Sequence, residues 1–296
     1  MTGSIGLCSC KMAGVSAAGA CAALLSIVMF GSAQAQTTYT VKPTLQSIAR
    51  GVQRALDYEE IENLMARRMW YHSAGQNENE LALWTKKQPQ NARWEQNQGC
   101  WVGMKSINYY YNTINVEMQK ADLKHLSKLN PAIKDEWPAN RGIGNNAIHT
   151  LTSPLIVVAD NDQSAKATWY TIGNILTTQD GKTPQGNWIW ERYGADLVKE
   201  DGQWRFLHIQ VNTDFMNPMG EPLQVQPEDA AAMGKEGGSA PAPGPGAEGV
   251  KIPGPDIAYS NYREFGATRV PTPVPRAPVP YRTLADTFQY ADCKAH

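Results

Sequence analysis

Between residues 56 and 72, apolar side chains recur at Ile61, Leu64, Met65 and Met69, the spacing of one helical face. Tyr71 follows Leu64 by seven residues and His72 follows Met65 by seven, so both rings are expected on the buried stripe near the helix C-terminus. A short second helix over 80–84 carries Leu81 and Trp84, and 92–95 reads as a short strand. Ile107, Tyr110, Tyr111, Ile114 and Met118 then mark a third amphipathic helix. From His149 onwards the period changes to two. Four strands are expected over 149–159, 165–177, 187–199 and 203–211, with turns at Asn161-Asp162 and Asp201-Gly202. Helices followed by an antiparallel meander imply an α+β fold, with helices on one face of a curved sheet and a pocket between the two layers.

Outside this patterned region the chain changes character. All nine tryptophans lie between Trp70 and Trp204, whereas 13 of the 19 prolines lie between Pro218 and Pro280. The expected layout is a signal segment over 1–35, one domain over 36–216 and a Pro-rich extended tail over 217–296. Lys11, the apolar run 12–31 and Ala33-Gln34-Ala35 have the charge, hydrophobic stretch and small-residue exit of a secretory signal cleaved after Ala35. The competing reading is an anchored N-terminal helix. Cleavage implies a periplasmic or secreted protein, and no later run approaches the ~20 apolar residues of a membrane span. Cys8, Cys10 and Cys21 would leave with the signal. Cys100 and Cys293 then either stay apart or form one disulfide that holds the tail down.

Within the tail, the run 237–246 is linker-like, while Tyr259, Tyr262, Phe265, Tyr281, Phe288 and Tyr290 are too aromatic for an ordinary disordered segment. They are expected to wrap a surface of their own domain or of a neighbouring subunit. The second case gives a homo-oligomer with tail-mediated contacts. Lys+Arg 27 against Asp+Glu 28 leaves no basic excess for nucleic acid. G-x-S-x-G, P-loop, G-x-G-x-x-G and H-E-x-x-H motifs are all missing, and neither the two cysteines nor any His pair has metal-ligand spacing.

The order of elements, with Ile148-His149-Thr150-Leu151-Thr152-Ser153-Pro154 leading into 160–165, and Arg192-Tyr193-Gly194 before 200–205, resembles the SnoaL-like branch of the NTF2-like α+β barrels. The resemblance covers about residues 50–216. It implies a cone-shaped barrel of the scytalone dehydratase type. Relatives include dehydratases, polyketide cyclases and ketosteroid isomerase-like enzymes, most of them working without a cofactor. The long aromatic-rich chain also resembles bacterial lyases that release formaldehyde from lignin dimers.

His149 matches the family's catalytic histidine in position, and a neutral imidazole exchanges protons readily near pH 7. The plainer alternative is a buried histidine bonded to backbone. Tyr71 is expected as a hydrogen-bond donor to an oxyanion or leaving hydroxyl. His72 stands where the family carries an acid, so it serves either as acid or base or merely in packing. On the strand expected over 165–177, Tyr170 and Asn174 share one face and Trp169 the other, and the pattern leaves open which lines the pocket. Trp94, Trp101 and Trp190 share that ambiguity, with an aromatic-lined pocket set against simple core packing. Arg141, in a loop with Asn145 and Asn146, is expected to cap the pocket or to be solvated. His208 and Asp214 are held in reserve. The reading is a cofactor-independent lyase that removes water, or water and formaldehyde, from a small phenolic compound by acid–base elimination. The alternatives are a SnoaL-type isomerase or cyclase, and a non-catalytic periplasmic ligand-binding protein.

Overall fold

The computed structural model describes residues 43–223, 246, 249–259, 267–268, 270 and 274–294. The signal expected over 1–35 lies outside them, as does the linker over 237–246 apart from Gly246. Thr44–His296 forms one compact unit.

Helix α1 (Leu45–Ser73) begins at a capping box: Ser47 N donates to Thr44 Oγ1 at 3.1 Å, and Thr44 N donates back to Ser47 Oγ at 2.9 Å. It starts eleven residues before the apolar periodicity does. Its first turns leave Leu45, Ile48 and Val52 exposed, so no buried stripe announces them. They are tied instead by Arg50 and Arg54, which both pair with Asp162 in the turn expected at Asn161-Asp162. Helix α2 (Asn77–Leu81) is a single short turn.

One long helix was expected around residue 110. In its place α3 (Gly103–Asn108) runs into a π-helical segment (Tyr109–Ile114) and then α4 (Asn115–Leu129). Tyr110 and Tyr111 sit at the expected stripe positions, and each is buried.

The sheet order is β3-β4-β5-β6-β1-β2-β7, with β3 (Asn145–Val158), β4 (Ser164–Thr178), β5 (Pro184–Glu200) and β6 (Gln203–Pro218) forming the expected meander. β1 (Arg93–Gln96) pairs parallel to β6, and β2 (Gly99–Val102) pairs antiparallel to β1. Bulges at Thr152/Leu155, Trp190/Glu191 and Asp196/Leu197 bend the long strands. The concave face closes over a core that includes Ile61, Met65, Trp84, Trp94, Trp169, Leu197 and Phe206, with α1 laid across β3 and β6. Among the described residues no helix is long and apolar enough to cross a membrane.

The tail covers part of the convex face. β7 (Ile257–Ala258) adds to the edge strand β2, and Cys100 on β2 is disulfide-bonded to Cys293, their Cα atoms 5.4 Å apart. Farther along, Tyr290 lies directly on Gly194, where a Cβ would meet its ring at 2.6 Å. The described tail segments therefore bury Tyr281 and Tyr290 against their own domain.

Candidate active site

A cavity of roughly 50 Å³ lies between α1, the π segment and the concave face of β1, β3, β4 and β5. Ala147, Ile175 and Ile189 form an apolar wall, with Trp94, Tyr110, Tyr111 and Tyr193 around it. Such mostly apolar concavities with a few converging polar groups are what small-molecule sites look like.

His149 enters from β3, because the odd-numbered positions Ala147, His149 and Leu151 face inward. Its Nδ1 lies 3.3 Å from Glu191 Oε2, without the alignment of a straight hydrogen bond. Glu191 projects inward from β5 and accepts from Tyr193 Oη at 2.9 Å and from Thr213 Oγ1 at 3.1 Å. Burial opposes ionisation of Glu191, but hydrogen bonding and charge attraction from His149, with help from Tyr193 and Thr213, hold its carboxyl below the usual range. The carboxylate therefore orients His149 from behind. No described residue is hydrogen-bonded to His149 Nε2, the nitrogen left for a ligand.

His72 comes from the last turn of α1, its ring centroid 5.1 Å from that of His149. Behind it is a buried polar chain. Tyr111 Oη is 2.7 Å from His72 Nδ1, Arg68 Nη2 donates to Tyr111 Oη at 3.1 Å, and Arg68 Nε faces Glu80 Oε2 at 3.4 Å. Burial pushes the His72 pKa down, partly opposed by Glu80 and assisted by nearby His149, so this imidazole is neutral at pH 7. Burial pushes the Tyr111 phenol well above its ordinary value. Two adjacent imidazoles, one backed by a carboxylate and one by a phenol, can accept a proton at one atom and donate a hydrogen bond at another.

Of the residues expected at the site, His149, His72 and Trp94 line the cavity. Tyr71 does not: it packs beside the core cluster from the neighbouring side of α1. Tyr170 lies on the convex face and is 51% exposed, because β4 turns Trp169, Thr171, Gly173 and Ile175 inward. Asn174 shares that convex face, and Trp190 does too, where it packs on Phe215 with centroids 5.3 Å apart. Trp169 faces inward but is absorbed into the core. Trp101 is buried behind the cavity, stacked on Tyr110 at 3.9 Å between centroids. Arg141 pairs with Glu78 and lies over the Trp137 ring, away from the cavity.

Arg68, Glu80, Tyr111, Glu191 and Tyr193 were missed as site residues. Arg68 carried a legible signal, lying seven residues after Ile61 on the buried stripe. Glu191 and Tyr193 carried another, alternating in phase with the apolar Ile189 and Ala195.

A model of the SnoaL-like domain family matches residues 53–210. No curated protein matches. Among solved structures, an NTF2-like protein with a cystatin-like fold from Novosphingobium aromaticivorans is 16% identical, covering 57% of this chain and 90% of its own, with a TM-score of 0.39. The hexachlorocyclohexane dehydrochlorinase LinA-type3 from Novosphingobium barchaimii LL02 is 14% identical, covering 60% and 99%, with a TM-score of 0.40. The hexachlorocyclohexane dehydrochlorinase (LinA) type 2 is 13% identical, covering 60% and 99%, with a TM-score of 0.42. With the family model spanning more than half of its length and the helix–meander architecture described above, the chain belongs to the SnoaL-like domain family.

Proposed function

We propose that the protein is a cofactor-independent lyase that eliminates water, or water together with formaldehyde, from the side chain of a small phenolic compound such as a lignin-derived dimer. The observation that carries this reading is the His149–Glu191 pair, with His149 Nε2 unpartnered among the described residues at a cavity walled by aromatic and aliphatic groups. A para-phenol that gives up its O–H proton to a base expels a benzylic hydroxyl, which takes a proton from an acid and leaves as water, and a quinone methide remains. If the neighbouring carbon bears a hydroxymethyl group, His149 takes its hydroxyl proton. The C–C bond then breaks, formaldehyde leaves, and the electron pair forms the stilbene double bond and a phenolate, which recovers a proton from His149. Proton transfer by a positioned group of this kind contributes about 10²–10⁴-fold.

Tyr193 and Thr213 keep Glu191 ionised and fixed, and Trp94, Tyr110 and the Ala147–Ile175–Ile189 wall receive the aromatic ring. The reading extends to a periplasmic or secreted location, supported by the signal pattern of residues 1–35 and by the Cys100–Cys293 bond, which persists in oxidising compartments. The direct test is incubation of the purified protein with phenolic diarylpropane diols, with assays for formaldehyde and for a stilbene absorbance. Release of either supports the lyase. Product of unchanged mass would point to an isomerase or cyclase, and binding without conversion would point to a carrier.

A further inference from the structure

We infer that Tyr111, Arg68 and Glu80 are positioning residues that hold His72 as its Nε2–H tautomer, so that the cavity presents a hydrogen-bond donor at His72 beside an acceptor at His149. This rests on the acid–base reading above and assigns each histidine its part. The Tyr111 hydroxyl has one proton and two acceptors within reach: His72 Nδ1 at 2.7 Å and Glu80 Oε1 at 3.4 Å. The first is the length of a made O–H···N bond and the second is at the limit of one. Arg68 Nη2 donates to the same oxygen at 3.1 Å, which occupies a lone pair and turns the proton towards His72. Arg68 cannot swing away. It is wholly buried, faces Glu80 through Nε, and lies over the rings of Trp94, Tyr111 and Tyr193 at 4.8, 5.6 and 5.4 Å.

A neutral histidine whose Nδ1 accepts carries its proton on Nε2. His149 is the mirror case: its Nδ1 faces the Glu191 carboxylate, which draws a proton there, so that in the neutral ring Nε2 is the bare lone pair. The two rings stand 5.1 Å apart. One is thus set to meet the oxygen that gains charge and the other to take the proton that leaves. His72 thereby becomes a neutral donor, a role no carboxylate fills while ionised.

The test is a long-range ¹H–¹⁵N correlation of the imidazole rings in ¹⁵N-labelled protein at pH 7.5, with no ligand added. His72 and His149 are assigned by the signals lost in His72→Gln and His149→Gln. The expected pattern is Nε2–H for His72 and Nδ1–H for His149. In Tyr111→Phe the donor to Nδ1 is gone while Glu80 Oε1 remains 3.6 Å from it, so His72 should move towards Nδ1–H by roughly tenfold in tautomer ratio, the worth of one hydrogen bond. A wild-type His72 in the Nδ1–H form, or an unchanged tautomer in Tyr111→Phe, overturns the inference. Should Tyr111→Phe fail to fold, the wild-type spectrum alone decides it. Because no substrate enters the measurement, a protein with the expected tautomers but no turnover would refute the lyase and leave this assignment standing.

Discussion

Two histidine–carboxylate pairs sit on opposite faces of the same sheet. On the concave face His149 faces Glu191. On the convex face His208 Nδ1 is 2.8 Å from Asp196 Oδ2, in a register row that also places Lys166 and Arg93. The convex pair is closed on every side. His208 Nε2 reaches Asn91 O at 3.2 Å, Asp196 also accepts from Lys166 and from Tyr290 N, and the Lys166 amine lies over the rings of Phe288 and Tyr290 at 4.3 and 5.0 Å. Lys166 and Asp196 are both 0% exposed, and burial depresses the lysine's pKa despite the attraction of Asp196. The concave pair keeps one nitrogen without a hydrogen-bond partner among the described residues, at a cavity. The same two residue types thus serve as architecture where every polar atom is satisfied, and as candidate chemistry where one is left for a guest.

The largest effect that would break this contrast is expected at His149. His149→Gln should lower turnover of a phenolic diol by about 10²–10⁴-fold with little change in melting temperature, whereas His208→Ala should leave kcat intact and cost about 1–3 kcal/mol of stability. Kinetics and thermal melts on both variants decide it, and equal losses of activity would abolish the distinction. Glu191→Gln should follow, lowering kcat by about 10²-fold while KM moves less, because the imidazole loses its charged anchor.

Opening the tail by Cys293→Ala should cost roughly 2–5 kcal/mol in denaturant unfolding. That variant should keep the concave site working, and a dead but well-folded Cys293→Ala protein would show that the two faces are not independent.

Acid should act more gently. The folded pKa of His72 lies below that of the unfolded chain, so the unfolded state binds a proton that the folded one refuses. Stability then falls as pH drops through about 6.5. Glu191, also depressed, adds a second loss at lower pH, as pH falls through its folded value. Melting curves against pH should lose the upper step in His72→Gln and keep the lower. The smallest effect is expected at Tyr170→Ala, on the convex face, where activity should stay within about twofold; a large loss would return Tyr170 to the site.

Much of the fold was legible, because burial imposes a period. Ile61, Leu64, Met65 and Met69 wrote α1's core-facing stripe, and alternation wrote the four long strands. Legibility failed where aromatic residues occupied both phases of a strand: Trp169 next to Tyr170, and Trp188 and Trp190 around Ile189, give no hydrophobic contrast with which to assign a face. It also failed where the backbone left its ordinary period: helical spacing put Tyr110 and Tyr111 on one stripe, but nothing in that spacing separates the π segment Tyr109–Ile114 from a continuous α-helix. At the site, His149 and His72 were readable as polar residues in buried phases. Glu80 was not, because its partners Arg68 and Tyr111 lie 12 and 31 residues away, joined only by the fold.

The bond between Cys100 and Cys293 has a topological consequence. It closes a covalent ring through most of the domain, from β2 through the meander to the end of the tail. A protease cut anywhere between the two cysteines would open that ring without separating its pieces. Nicked protein should migrate as one chain on a non-reducing gel and divide into two only after a thiol is added, and the aromatic cover over Lys166 would stay tethered through damage that would otherwise release it.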